Sequence, residues 1–295
     1  MKVINNNFIE IDCSVNIEQI LEFLKSFLKS LNIDNNITNE LLSNMDNIYI
    51  QITNNDEYTI KLPNGSYRKN KISNSVGALK TNMIINNNDT ELNIVPGVVM
   101  RNNYNNHQLI HELLHGLSSL QHSYYDEYGI TYTKTGTKID YYDKSLNDHS
   151  MEINLSSEGL NEGITEYLTS ILTNEYTGNY APFVVISKLF MKSNNYLLNA
   201  YFMNDISGLK KFYDDLEERQ SLITKNDFIN LTSKCVDFDL ISKIIMAGLE
   251  YNKSYGNEIS EKELQNIIIY LDNNMTLDTG SWYDLIIDHK INKTY

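Results

Sequence analysis

Two histidines, His111 and His115, stand four residues apart with Glu112 beside the first, inside a run from Gln108 to Leu117 that otherwise reads as a buried helix. No other segment limits the fold so tightly. An α-helix repeats every 3.6 residues, so positions four apart stack on one face, and both imidazoles can then reach one ion while Glu112 projects beside them. Ile110, Leu113, Leu114 and Leu117 supply the apolar faces that would bury the same helix. Packing and chemistry therefore ask for one conformation. At 295 residues the chain is long enough to build a core around such a helix.

The pattern His-Glu-x-x-His is a metal-site signature, and catalytic zinc takes three protein ligands while keeping a position open for water. A further His, Asp or Glu is expected downstream. In the metzincin pattern a Gly follows the second His by three residues and a His follows that Gly by three. Here Ser118 and Gln121 hold those places. His122 comes one residue late, about 100° of helix rotation from the required direction, and is expected not to be a ligand. The competing continuation is Gly159-Leu160-Asn161-Glu162-Gly163-Ile164-Thr165-Glu166, where Glu162 and Glu166 share a helix face one turn apart. Glu158 recurs on the same stripe and stays open as the alternative ligand; alone, the stripe also fits a solvated acidic face.

Together the two segments resemble the paired motifs of the gluzincins, the thermolysin-like zinc peptidases. The resemblance implies an α+β, zincin-like domain with a mixed sheet and an active-site helix, followed by a mostly helical C-terminal part. It implies Zn2+ held by His111, His115 and Glu162, with Glu166 behind the ligands, accepting a ring N–H from one histidine. The implied reaction is peptide-bond hydrolysis by a zinc-activated water with Glu112 as general base. The likeness covers mainly Gln108 to Leu117 and Gly159 to Thr169. The gap between His115 and Glu162 is longer than thermolysin's, and Gly163 replaces the small non-Gly residue usual there, which softens the expected helix start. An inactive zinc-binding scaffold engaging a protein partner is the alternative, although a structural zinc site needs no base at Glu112. Oxyanion donors stay open among Tyr124, Tyr125, Tyr128, His149, Tyr255 and His289. His107 is expected at the surface of the helix start or along the cleft.

A formal charge of −14 opposes the cationic surface that nucleic acid or anionic lipid requires and sits more comfortably with a basic or neutral substrate, while the resemblance implies a peptide or protein as that substrate. Cys13 and Cys235 have no metal or redox spacing and are expected to be reduced and buried. No apolar h-region or membrane-length apolar run is present, so the expected location is cytoplasmic by default, or outside the cell if a signal peptide was removed.

The division expected is an N-terminal α/β subdomain over residues 1–180, carrying the metal site, and a helical subdomain over 181–295. Within the first, apolar spacing predicts a helix over Ile17 to Leu31 and strands at Ile48 to Thr53, Tyr58 to Leu62, Met83 to Ile85 and Leu92 to Met100. Pro96 cannot donate to a ladder, which places the last of these at a sheet edge, where it becomes the expected substrate-binding strand. Gly129 to Asp140 reads as a hairpin around Thr135-Gly136, and a second helix is expected near Asn161. Helices are expected over Pro182 to Met203, Ser207 to Glu218, Lys225 to Ser233, Asp239 to Tyr251 and Ser260 to Asn273.

Overall fold

The structure is a computed structural model. It describes residues 2–4, 15–45, 48–53, 56–61, 67–72, 78–88, 91–101, 105–118, 124–125, 130–143, 157–203, 206–231, 237–275, 277 and 280–291. It mixes α and β structure, with helices predominating and small sheets. Two compact units are formed: Met1–His122 with Ile171–Glu175, and Ser123–Ser170 with Tyr176–Tyr295.

In the first unit, helix α1 (Val15–Ser30) buries Ile17, Ile20, Leu24 and Leu28, the i, i+3/i+4 stripe that its sequence spells. Helix α2 (Asn35–Asn44), not anticipated from the sequence, is capped by Asp34, whose carboxylate accepts the Asn36 N–H at 2.8 Å. The main sheet has the order β1-β2-β6-β5, from strands β1 (Lys2–Ile4), β2 (Tyr49–Thr53), β5 (Ala78–Asn88) and β6 (Glu91–Arg101). β2 runs parallel to both its neighbours and β5 is antiparallel to β6. Strands β3 (Glu57–Lys61) and β4 (Tyr67–Lys71) form a separate antiparallel pair.

One expectation fails here. The strand containing Pro96 is not an edge: β6 lies between β2 and β5. The ladder to β2 begins only at Gly97, so Pro96, which sits opposite Asn82 of β5, has a strand on one side alone. A proline is tolerated there because locally it lies at an edge, although its strand as a whole does not. Among the described residues, the outermost strand on that side is β5. Helix α3 (Asn106–Leu117) packs against β5 and β6.

In the second unit, β8 (Ile130–Thr135) and β9 (Lys138–Asp143) form the expected hairpin, with β7 (Tyr124–Tyr125) added beside β8. Thr135 pairs with Lys138, and Gly136 turns the chain with φ +59°, a left-handed conformation natural to glycine. The hairpin is anchored by Lys134, which is buried and donates from Nζ to the carbonyls of Ala200 and Met203 at 2.8 and 2.6 Å. Those carbonyls lie at the C-terminal end of α6 (Tyr196–Phe202), where a cation complements the helix dipole.

The remaining helices are α4 (Glu158–Thr173), α5 (Ala181–Ser193), α7 (Ser207–Arg219), α8 (Lys225–Ile229), α9 (Phe238–Ser254), α10 (Glu261–Asn274) and α11 (Trp282–Ile291). The helix expected over Pro182 to Met203 is broken into α5 and α6. Asn194 takes an extended conformation and its side-chain carbonyl accepts the Tyr196 N–H at 2.8 Å, supplying locally what a helical carbonyl would have supplied. Phe190 of α5 packs on Phe212, Phe228 and Tyr251, with ring centroids 5.1 to 6.0 Å apart. No described helix is long and apolar enough to cross a membrane. Cys13 and Cys235 lie outside the described residues.

Candidate metal centre

Helix α3 starts where Asn105 ends the preceding loop: its side-chain oxygen accepts the N–H groups of His107 and Gln108 at 2.6 and 3.4 Å. Two otherwise orphaned donors are thereby satisfied. Leu109, Ile110, Leu113, Leu114 and Leu117 are buried, as the apolar pattern requires, and they carry His111 and His115 inside with them. Glu112 is half-buried. His107, expected at the surface, is instead only 4% exposed, with Nδ1 3.0 Å from the Thr173 hydroxyl and 3.9 Å from the Glu175 carboxylate. It occupies the same helix face as His111 and His115, four residues earlier, and that face is the one the fold encloses.

Glu162 sits on the first turn and a half of α4, and this turn is held from several sides. Ser157 lies just before the helix and its hydroxyl accepts the Leu160 N–H at 3.3 Å. The Gly159 N–H donates to the Leu231 carbonyl at 2.8 Å. The side-chain oxygen of Asn161 accepts the Thr137 N–H at 3.1 Å, so the tip of the β8–β9 hairpin is fixed to the residue next to Glu162. Gly136 makes that docking possible, since a Cβ there would stand 2.6 Å from the Tyr201 ring and closer still to Asn161. Gly163 does the same on the other flank. Its missing side chain lets the backbone of Phe183, in the first turn of α5, come against α4. The glycine expected to soften the helix start is thus a close-packing position.

The chain brings together His111, His115 and Glu162: one ligand atom from each, all within 4.8 Å of one another, with both histidines buried and Glu162 half-buried. Two nitrogens held at 2.0–2.1 Å from a tetrahedral ion lie about 3.3 Å apart. The Nε2 atoms of His111 and His115 are 3.1 Å apart, with their rings inclined at 73°. Two nitrogens and one carboxylate at this separation could hold a metal ion. No family model, curated protein or solved structure matches this chain.

Glu158, the alternative ligand, is not in the group; its carboxylate faces Lys138 Nζ at 3.9 Å. Glu166 is buried and accepts the Thr177 hydroxyl at 2.6 Å. Of the oxyanion candidates, Tyr255 is engaged by Asp215, with its hydroxyl 2.7 Å from the carboxylate. Tyr124 and Tyr125 lie in β7 and His289 in α11, by backbone only, while His122, Tyr128 and His149 fall outside the described residues. The hairpin contact on Asn161 and the Thr177 contact on Glu166 were missed from sequence. Neither Thr137 nor Thr177 belongs to a ligand-type pattern, and only the fold brings each to its partner.

Proposed function

We propose that the chain is a zinc-dependent metallopeptidase of the gluzincin type. The observation that carries this reading is the separation of roles at one place: His111, His115 and Glu162 converge as a three-residue ligand group, while Glu112, on the same helix as the two histidines, is left outside it. Three protein ligands, with a further carboxylate next in the chain to His111, suit a catalytic centre better than a structural one, which is usually closed by four. When bound there, zinc would supply a Lewis acid for the scissile carbonyl and for the attacking water. The chain's own residues do the rest. The imidazoles of His111 and His115 and the carboxylate of Glu162 hold the ion, and Glu112 takes the proton of the attacking water on a carboxylate oxygen, later passing it to the leaving amine. The outer side of β5, the outermost described strand beside α3, offers the edge along which an extended peptide can add as a further strand.

The test is zinc content measured beside peptide cleavage, with and without chelator. Glu112→Gln keeps the ligand set, so zinc stays bound while turnover falls by about 10²–10⁴-fold. Glu162→Ala removes a ligand and loses both. Cleavage by Glu112→Gln at the unmodified rate would refute the assigned base. Stoichiometric zinc with no cleavage of any peptide in a broad library would favour the inactive scaffold.

A further inference from the structure

The turn that follows α4 has an unusual backbone. Asn174 and Tyr180 both take left-handed conformations at φ 55°, and Gly178 between them has φ 75°. For a residue such as Tyr180 this region costs roughly 1–2 kcal/mol, whereas asparagine enters it more readily, and such strain persists only where the surroundings impose it. On one flank the imposing contact is with α10: Gly178 lies so close to Asn274 that a Cβ would stand 2.9 Å from its side-chain Cγ. On the other it is with α4, where the Thr177 hydroxyl meets Glu166 Oε1 at 2.6 Å.

The hydrogen bonds fix the direction of that contact. The Asn179 N–H donates to Thr177 Oγ1 at 3.2 Å, using one acceptor site of the hydroxyl. The single hydroxyl proton is then directed at Glu166, at a length typical of a bond to an ionised carboxylate. Glu166 is only 3% exposed, and a buried carboxylate needs such donors. It lies one helical turn beyond Glu162, on the same face of α4.

Resting on the proposed zinc centre, we propose that Thr177 is a positioning residue for it. By holding Oε1 of Glu166, the hydroxyl fixes the rotamer of the carboxylate that the proposed reading places behind the metal ligands. The strained turn is the frame that delivers the hydroxyl. Thr177 thus sets metal affinity without touching the metal, and the effect passes entirely through Glu166.

Zinc dissociation constants, measured by competition with a chromophoric chelator on the full chain, test this in five proteins: unmodified, Thr177→Val, Thr177→Ser, Glu166→Gln and the double variant Thr177→Val/Glu166→Gln. Thr177→Val removes the hydroxyl at nearly constant shape and should weaken zinc by about 10-fold, at the low end for groups behind a ligand. Thr177→Ser should restore affinity to within about 2-fold, since the donor returns. The double variant should bind no more weakly than Glu166→Gln alone. Equal weakening in Thr177→Val and Thr177→Ser would assign the effect to the shape of the turn and overturn the proposal. So would unmodified affinity in Thr177→Val, or additive losses in the double variant. Failure of the unmodified protein to bind zinc would instead remove the metal centre itself, and this proposal with it.

Discussion

Gly163 gives the sharpest check on how Glu162 is held. In an isolated helix Gly163→Ala would be favourable by about 0.5–1 kcal/mol, because alanine has less backbone freedom to lose. In this fold the new Cβ would stand 2.5 Å from the carbonyl carbon of Phe183, 2.7 Å from its Cβ, and nearer still to its carbonyl oxygen. Relief to an ordinary contact requires α4 and α5 to part by about 1 Å, and the obstacle is mostly backbone, which cannot rotate aside as a side chain can. Overpacking of this kind costs about 1–3 kcal/mol, enough to cancel the helical gain and leave a net loss of roughly 1–2 kcal/mol. On the proposed zinc reading, the displacement matters more to the metal. Ligand distances in a zinc site tolerate about 0.2 Å, so a shift of this size one residue from Glu162 should weaken zinc far more than it weakens the fold. Urea denaturation of the metal-free protein and zinc competition on the same samples read the two effects separately. An alanine variant as stable as the parent, with unchanged zinc affinity, would refute the claim that Gly163 is a close-packing position.

Asp215 supplies a pH prediction. Burial acts to raise its pKa, but hydrogen bonds from Tyr251, Tyr255 and Arg219 outweigh this and hold the carboxyl below the usual aspartate range. A lowered folded-state pKa contributes stability that is present above the unfolded value, about 4, and lost as pH falls through the folded one. Asp215→Asn should therefore flatten the acid limb of a stability–pH curve below about pH 4, and an unchanged limb would show that other carboxylates set it. Tyr213 is buried and its hydroxyl has no hydrogen-bond partner among the described residues, so Tyr213→Phe should leave thermal stability unchanged or raise it by about 1 kcal/mol. A clear loss would reveal a partner for that hydroxyl.

Local periodicity carried much of the fold. The buried stripe of α1, the hairpin at Gly136 and the start of α10, where Ser260 accepts the Glu263 N–H at 3.2 Å, are each determined within a few residues. The helix break at Asn194 was missed because the apolar pattern continues across it while a single side chain redirects the backbone. The misplaced β6 has a different origin: Pro96 reports its own neighbourhood correctly, but where a strand lies in a sheet is decided by partners far away in the chain. The group that could hold a metal ion was legible because two of its members lie on one helix and the third on another that repeats the same spacing. The supports of that group come from Thr137, Thr177 and Phe183, and no spacing in the sequence ties these residues to Glu162 or Glu166.

The central claim is that His111, His115 and Glu162 form one metal site, and zinc stoichiometry tests it most directly. Equilibrium dialysis of the metal-free chain against micromolar zinc, followed by elemental analysis, should give one ion per chain for the unmodified protein. His111→Ala, His115→Ala and Glu162→Ala should each fall well below one under the same conditions, because two remaining ligands make a weak site. Glu158→Ala should keep its ion. Full occupancy in any of the three ligand variants, or no uptake by the unmodified protein, would contradict the account.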